Sequence, residues 1–182
     1  MKHEPVRVLL DTVRSAGADV NERRNAIPDL ALLLEKHSHR ADEEKNYKEL
    51  LRPNLLEIQL DEADKTEIVD ALSRQLEQEP VEGGITRQLF WALKKADNHQ
   101  ATVAFRAVIG CISQKPLEDA DVWQGILSLE LLGYSVPKSE LQVQLPLLQE
   151  LRARVISSGG TDSRRAIESL FGNLRDRGLD VS

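Results

Sequence analysis

Aliphatic residues recur every three or four positions, in segment after segment, from Val6 to Leu174. That spacing lines side chains along one face of a helix, whereas a strand would need alternation. Val6, Leu9, Leu10 and Val13 form the first stripe, closed by Ala16-Gly17. Asp19 or Asn21 is placed to cap a second helix carrying Ile27, Leu30, Leu33 and Leu34, which ends near His37. A third is predicted to begin after Asp42, with Tyr47, Leu50 and Leu51 inward, and to meet Pro53; Leu55, Leu56 and Leu60 continue the apolar supply. Asp64 and Glu67 stand in capping-box spacing before Ile68, Leu72 and Leu76. Pro80 and Gly83-Gly84 mark a loop, and Ile85, Leu89, Leu93 and Ala96 form the next stripe.

From Ala101 to Ile112 the chain is apolar on nearly every side, with Arg106 its only charge. A helix of that kind is buried on several sides, so it is predicted as the central element, with the Arg106 head expected to reach the surface rather than to pair with a buried carboxylate. Pro116 suits a first helical position. Val122, Ile126 and Leu129 follow, with Trp123, Leu127 and Leu131 on a neighbouring face, until Gly133 and Pro137 stop the helix. Leu141 to Leu145 alternates like a strand, yet Leu145, Leu148 and Leu151 extend a helical stripe and a lone strand would lack a partner. Ser157-Ser158-Gly159-Gly160 reads as a flexible joint. Thr161 or Ser163 then starts a last helix with Ile167, Leu170, Phe171 and Leu174 inward and Gly178 past its end.

Composition agrees with this pattern. Aromatics are 4% of the 182 residues, so Leu, Ile, Val and Ala must fill the core, and Leu and Ala are strong helix formers. The expected fold is all-α: eight to nine short amphipathic helices in antiparallel hairpins, within one domain spanning 1–182 and jointed at 157–160. The N-terminus lacks the apolar stretch of a signal peptide, and nowhere do 18 apolar residues run together. No membrane span and a cytoplasmic location are the expectation. The lone Cys111 lies in an apolar run and is expected to be a buried small hydrophobe.

The hairpins repeat about every 35–40 residues. Val8-Leu9-Leu10, then Asp19-Val20, then Arg23, Ala26 and Leu30 make a helix, an Asp-containing turn and a second helix opening with an Arg. That unit resembles a HEAT repeat. Leu89 to Ile112, with Asp97 in its turn, is a looser second example, and the Pro-Leu pieces at 27–30, 53–56 and 145–148 are similar to the bent helices of such repeats. The resemblance covers some 60 residues. It implies a right-handed helical array, with an irregular helical bundle as the alternative architecture.

No cluster amounts to a catalytic or cofactor motif. His37-Ser38-His39 has Glu35, Asp42 and Glu43 nearby, but ligands sharing a helix face stand three or four residues apart, not two. A polar helix end accounts for them better. Neither Gly83-Gly84 nor Gly159-Gly160 has the strand and Lys-Ser/Thr of a phosphate loop. No metal and no cofactor are therefore expected.

Charge is the remaining clue. Net charge is −6, which argues against nucleic acid, where phosphate neutralisation supplies most of the affinity. Over residues 57–82 nine carboxylates face only Lys65 and Arg74, a net −7. Among them Glu67, Asp70 and Glu77 lie opposite the Ile68–Leu72–Leu76 stripe. They form either a solvated face or a patch that steers a basic partner. Against this, Arg152, Arg154, Arg164, Arg165, Arg175 and Arg177 give residues 152–177 a net +3. Those arginines serve internal salt bridges, meet an acidic protein or the acidic 57–82 face of a second copy, or hold nucleic acid, a reading weakened by the absence of interleaved aromatics; Arg164 and Arg165 are the candidate contacts. The expectation is a non-catalytic protein-binding module or adaptor with an acidic contact face. An acidic inhibitor of the immunity-protein sort and an enzyme of unknown chemistry are the alternatives. The partner is another protein, a basic one complementing the face best, and the oligomeric state is left open.

Overall fold

The aliphatic stripes all become helices. The computed structural model describes residues 3–15, 17–38, 46–78 and 85–181. Among the described residues there are ten α-helices and no strand. They are α1 (Glu4–Arg14), α2 (Val20–Lys36), α3 (Asn46–Leu50), α4 (Pro53–Leu56) and α5 (Glu62–Gln78). Then come α6 (Ile85–Leu93), α7 (Asn98–Gln114), α8 (Asp119–Gly133), α9 (Lys138–Ser158) and α10 (Thr161–Asp176).

Packing sorts the eight longer helices into four hairpins, α1–α2, α5–α6, α7–α8 and α9–α10. The first helices stack in the order α1, α5, α7, α9, and the second helices in the order α2, α6, α8, α10. The result is two layers built by nearest-neighbour stacking, with one continuous apolar core between them. α7 packs on α5, α6, α8 and α9, and Ala101, Ala104, Phe105, Val108 and Ile112 are fully buried. Burying an aliphatic or Phe side chain contributes about 1.5–3 kcal/mol, so this helix is the central element its composition predicts. Asp97 sits at the start of α7, between α6 and α7. The strongest partners of α7 are α5 and α8, so the turn at Asp97 joins successive hairpins and lies outside the hairpins themselves.

α3 and α4 interrupt the regular alternation. They lie along α2, and polar bonds hold them there. Lys36 Nζ donates to the carbonyls of Leu56 and Ile58, and Arg52 pairs with Asp29. His37 Nδ1 donates to Leu33 O at 2.8 Å while its Nε2 accepts the Leu60 amide at 3.2 Å. The deepest link is Glu35, which accepts from the Tyr47 amide at 3.0 Å and the Asn46 side chain at 3.2 Å. The same carboxylate binds Lys95 Nζ at 2.5 Å, and the two side chains are 1% and 3% exposed. Burial works against the Glu35 charge, but the bonds from Lys95, Asn46 and Tyr47 prevail and hold its carboxyl below the usual glutamate range.

Several expectations change in detail. Asp19 caps α2, in a reciprocal box with Glu22. The box on α5 is Asp61 with Asp64, not Asp64 with Glu67: each side chain accepts the other's backbone N–H, at 2.8 and 3.3 Å. Asp64 is therefore a buried cap. Leu50 faces outward and only Leu51 of that pair is buried, because α3 is too short to carry a stripe. The start placed after Asp42 and the Pro80–Gly84 loop fall outside the described residues, as do His39, Asp42 and Glu43. Pro116 precedes α8, whose cap position is Glu118. The alternating 141–145 segment is helical, with Leu141, Leu148, Leu151 and Val155 buried.

The joint at 157–160 is a two-residue turn governed by close approach. A Cβ on Gly159 would lie 2.7 Å from Val155 O, and one on Gly160 2.3 Å from Asp119 Oδ2. Arg106 reaches the surface as expected, and there it grips Glu140 of α9 at 2.7 and 2.5 Å. Cys111 is buried on α7, which pushes its thiol up to about 11. No helix among the described residues is long and apolar enough to cross a membrane.

Three outcomes follow for stability. Lys95→Met leaves Glu35 buried without its cation and should cost about 3–5 kcal/mol in urea unfolding, and Glu35→Leu/Lys95→Met should recover most of it. Glu35 is more acidic folded than unfolded. Its contribution is thus complete above the ordinary glutamate range and is lost as pH falls through the lowered native value. In Glu35→Leu/Lys95→Met that part of the acid sensitivity should vanish. Gly125 lies where a Cβ would come within 2.4 Å of the fully buried Ile112 side chain. Gly125→Val should destabilise by about 1–3 kcal/mol through overpacking.

Candidate functional site

The acidic segment spends much of its charge on structure. Asp61 and Asp64 cap α5. Glu62 pairs with Lys65 and accepts from Gln100 Nε2 at 3.1 Å. Glu67 meets Arg14 of α1 at 3.1 Å. Lys65 also lies 4.0 Å from the buried Asp97 carboxylate. Of the three acids expected to form the contact face, only Asp70 and Glu77 hold no partner among the described residues.

These groups border a groove in the layer of first helices. One hollow of about 540 Å³ lies between α1, α5 and α7, walled by Arg14, Glu67, Asp70 and Arg74. A second of about 680 Å³ continues past Asn98 and Thr102 to Ser135 and Pro137, in the α8–α9 turn. Glu62 and His99 line both hollows. Asn98, at the groove's middle, has φ 47°, a left-handed conformation that asparagine tolerates better than most residues. Gln100 is 4% exposed and its amide donates to Thr66 Oγ1 and Glu62 Oε2, both at 3.1 Å.

Hydrogen bonds from Lys65 and Gln100 hold the Glu62 carboxyl below its usual range. Glu62 is thus an anion at neutral pH, equipped to bind a cation or a donor and ill suited to giving up a proton. Cys111 offers no nucleophile either, since burial keeps it a thiol. Among the described residues no cluster of His, Cys, Asp and Glu has a metal-holding arrangement.

The basic region is likewise largely committed. Arg152 binds Glu168 through two bonds of 2.8 and 2.9 Å, its guanidinium 4.7 Å from the Phe171 ring centre. Arg154 donates to the carbonyls of Ile112 and Ser113, at the C-terminus of α7. Arg177 does the same for Gly133 and Val136 after α8. Arg175 reaches Phe171 O at 3.5 Å. Arg164 and Arg165 alone of the six are exposed and hold no partner among the described residues. They lie on α10, in the other layer and two hairpins away from the α5 acids, so the two candidate charge clusters are not brought together.

Sequence reasoning named Glu67 and Asp70 but did not join Arg14, His99 and Gln100 to them. Arg14 meets Glu67 across 53 positions, and no local pattern marks such a pairing. No family model matches the chain, and no curated protein or solved structure is significantly similar to it.

Gln100 Oε1 is buried with no donor, a costly position for a polar atom. Gln100→Leu should therefore be close to neutral in thermal unfolding, because losing the orphan oxygen offsets losing two bonds. A loss above about 2 kcal/mol would show that the amide is needed to hold α5 on α7.

Proposed function

We propose that this chain is a non-catalytic helical-repeat module, HEAT-like in its stacking, that holds a basic segment of another protein in the groove across α1, α5 and α7. The observation that carries the reading is the acid left over in the groove: Asp70 stands unpaired on its wall, near Arg74, while Glu62 and Glu67 are engaged by Lys65 and Arg14. Glu77, two helical turns beyond Asp70, extends that face. Stacked hairpins support the reading further, since such arrays present extended surfaces suited to wrapping a partner. The module is taken to work in the cytoplasm, where a single thiol with no disulfide partner is at home.

The test begins with affinity capture on the folded chain, run beside Asp70→Lys/Glu77→Lys as bait. Glu77 is exposed and Asp70 half-buried without a partner among the described residues, so folding should change by less than about 1 kcal/mol for each. A basic protein held by the unaltered chain should be lost by the variant. With that partner purified, association measured by stopped flow at low salt should slow at least tenfold in the variant, with a smaller change in dissociation. Identical capture and identical association rates would reduce the acidic face to a solvated one.

A further inference from the structure

His99 stands where the two hollows of the groove meet. It is the second residue of α7 and exposed, and with Glu62 it lines both hollows. Two other histidines lie among the described residues, and both are used in folding. His3 Nε2 meets Gln59 O at 2.8 Å, and His37 bridges Leu33 O and the Leu60 amide. His99 makes no hydrogen bond or ion pair among the described residues. Its ring is therefore free to change charge without undoing a contact of the fold.

The groove is negative by a narrow margin. Its lining carries three carboxylates, Glu62, Glu67 and Asp70, against the guanidiniums of Arg14 and Arg74. One negative charge is left over. Beneath the lining, Lys65 binds Glu62 and lies 4.0 Å from Asp97, so those two buried charges offset each other. Farther along α7, Arg106 is paired with Glu140 of α9. The α8–α9 turn contributes Ser135 and Pro137 and no charge to the lining. His99 is close enough for its charge to act on the Glu62 carboxylate. Imidazoles change charge between about pH 5 and 8, a range over which ordinary carboxylates, Lys and Arg keep theirs. One proton on His99 thus cancels the whole excess of the groove, at the point both hollows share.

We propose that His99 is a pH gate on the groove: the neutral imidazole leaves it open to a basic segment, and the imidazolium turns that segment away. The gate rests on the reading that the groove binds a cationic partner. A positive charge at this point acts on such a partner twice. It repels the incoming Lys or Arg groups, and it offers Glu62 an internal cation in place of theirs. The stack itself does not rearrange, since no contact of the fold depends on the ring. A partner held above neutral pH is released on acidification and taken up again when the acid is removed.

The test uses the full folded chain and a short rhodamine-labelled oligolysine, whose charge is constant over the range, with binding read by anisotropy at fixed low salt. Affinity should fall at least threefold between about pH 8 and pH 5.5. His99→Gln should bind equally at both, as tightly as the unaltered chain does at the higher pH. His99→Lys should bind at both as weakly as the unaltered chain does at the lower. Circular dichroism at each pH confirms that the variants fold. An unaltered chain indifferent to pH, or a His99→Gln variant showing the same fall, would overturn the gate. Asp70→Lys/Glu77→Lys separates that failure from failure of the groove. If oligolysine never binds, or binds this variant undiminished at the higher pH, the groove reading is wrong and the gate falls with it.

Discussion

A pair of short amphipathic helices cannot cover its own apolar faces, and everything in this structure follows from the stacking that does so. Each hairpin borrows its neighbours in the stack, and α7, apolar nearly all round, is satisfied only because α5, α6, α8 and α9 enclose it. Aliphatic side chains suit that task. They allow close approach of the kind seen at Gly125, against Ile112 and Phe90. Because the inner faces supply the stability, the outer faces are released from it. In the layer of first helices that face has become polar and grooved.

Stacking leaves a second problem at the helix ends, where the last carbonyls of a helix have no intrahelical donor. Here cations from other parts of the chain supply it. Lys115 reaches Leu76 O at the end of α5, Arg154 the end of α7, and Arg177 the end of α8. Lys36 performs the same service for the carbonyls at Leu56 and Ile58. Each contact favours a positive group at the negative pole of a helix, and those of Lys115, Arg154 and Arg177 fasten one hairpin to another. Charge counted along the sequence therefore overstates what is available to a partner.

The fold was legible because helix periodicity is local: four residues decide a stripe, and the stripes at 6–13, 68–76 and 167–174 all point inward as expected. Cap identity was only partly legible, since Asp61, Asp64 and Glu67 all offer plausible spacings and the true start of α5 decides among them. The groove was half legible. Glu67 and Asp70 stood out by composition, but Arg14, His99 and Gln100 join them only through stacking of α1 and α7 on α5. Trp123 was legible only as part of a face neighbouring the Val122–Ile126–Leu129 stripe. It lies at the surface because Ile126 and Leu129 take the inner side of α8. Gly159-Gly160, with the composition of a hinge, is a tight corner whose tolerance is set by Val155 and Asp119.

The buried thiol on α7 has a consequence for how the chain meets oxidants and electrophiles. With Cys111 pushed up to about 11, roughly one molecule in ten thousand carries the reactive thiolate near neutral pH. Burial closes off even that fraction. The sulfur regains ordinary reactivity only when α7 loses its neighbours, so fraying of α1 or α10 at the ends leaves it silent. The only cysteine in the sequence is thereby a built-in chemical reporter for rupture of the middle of the stack.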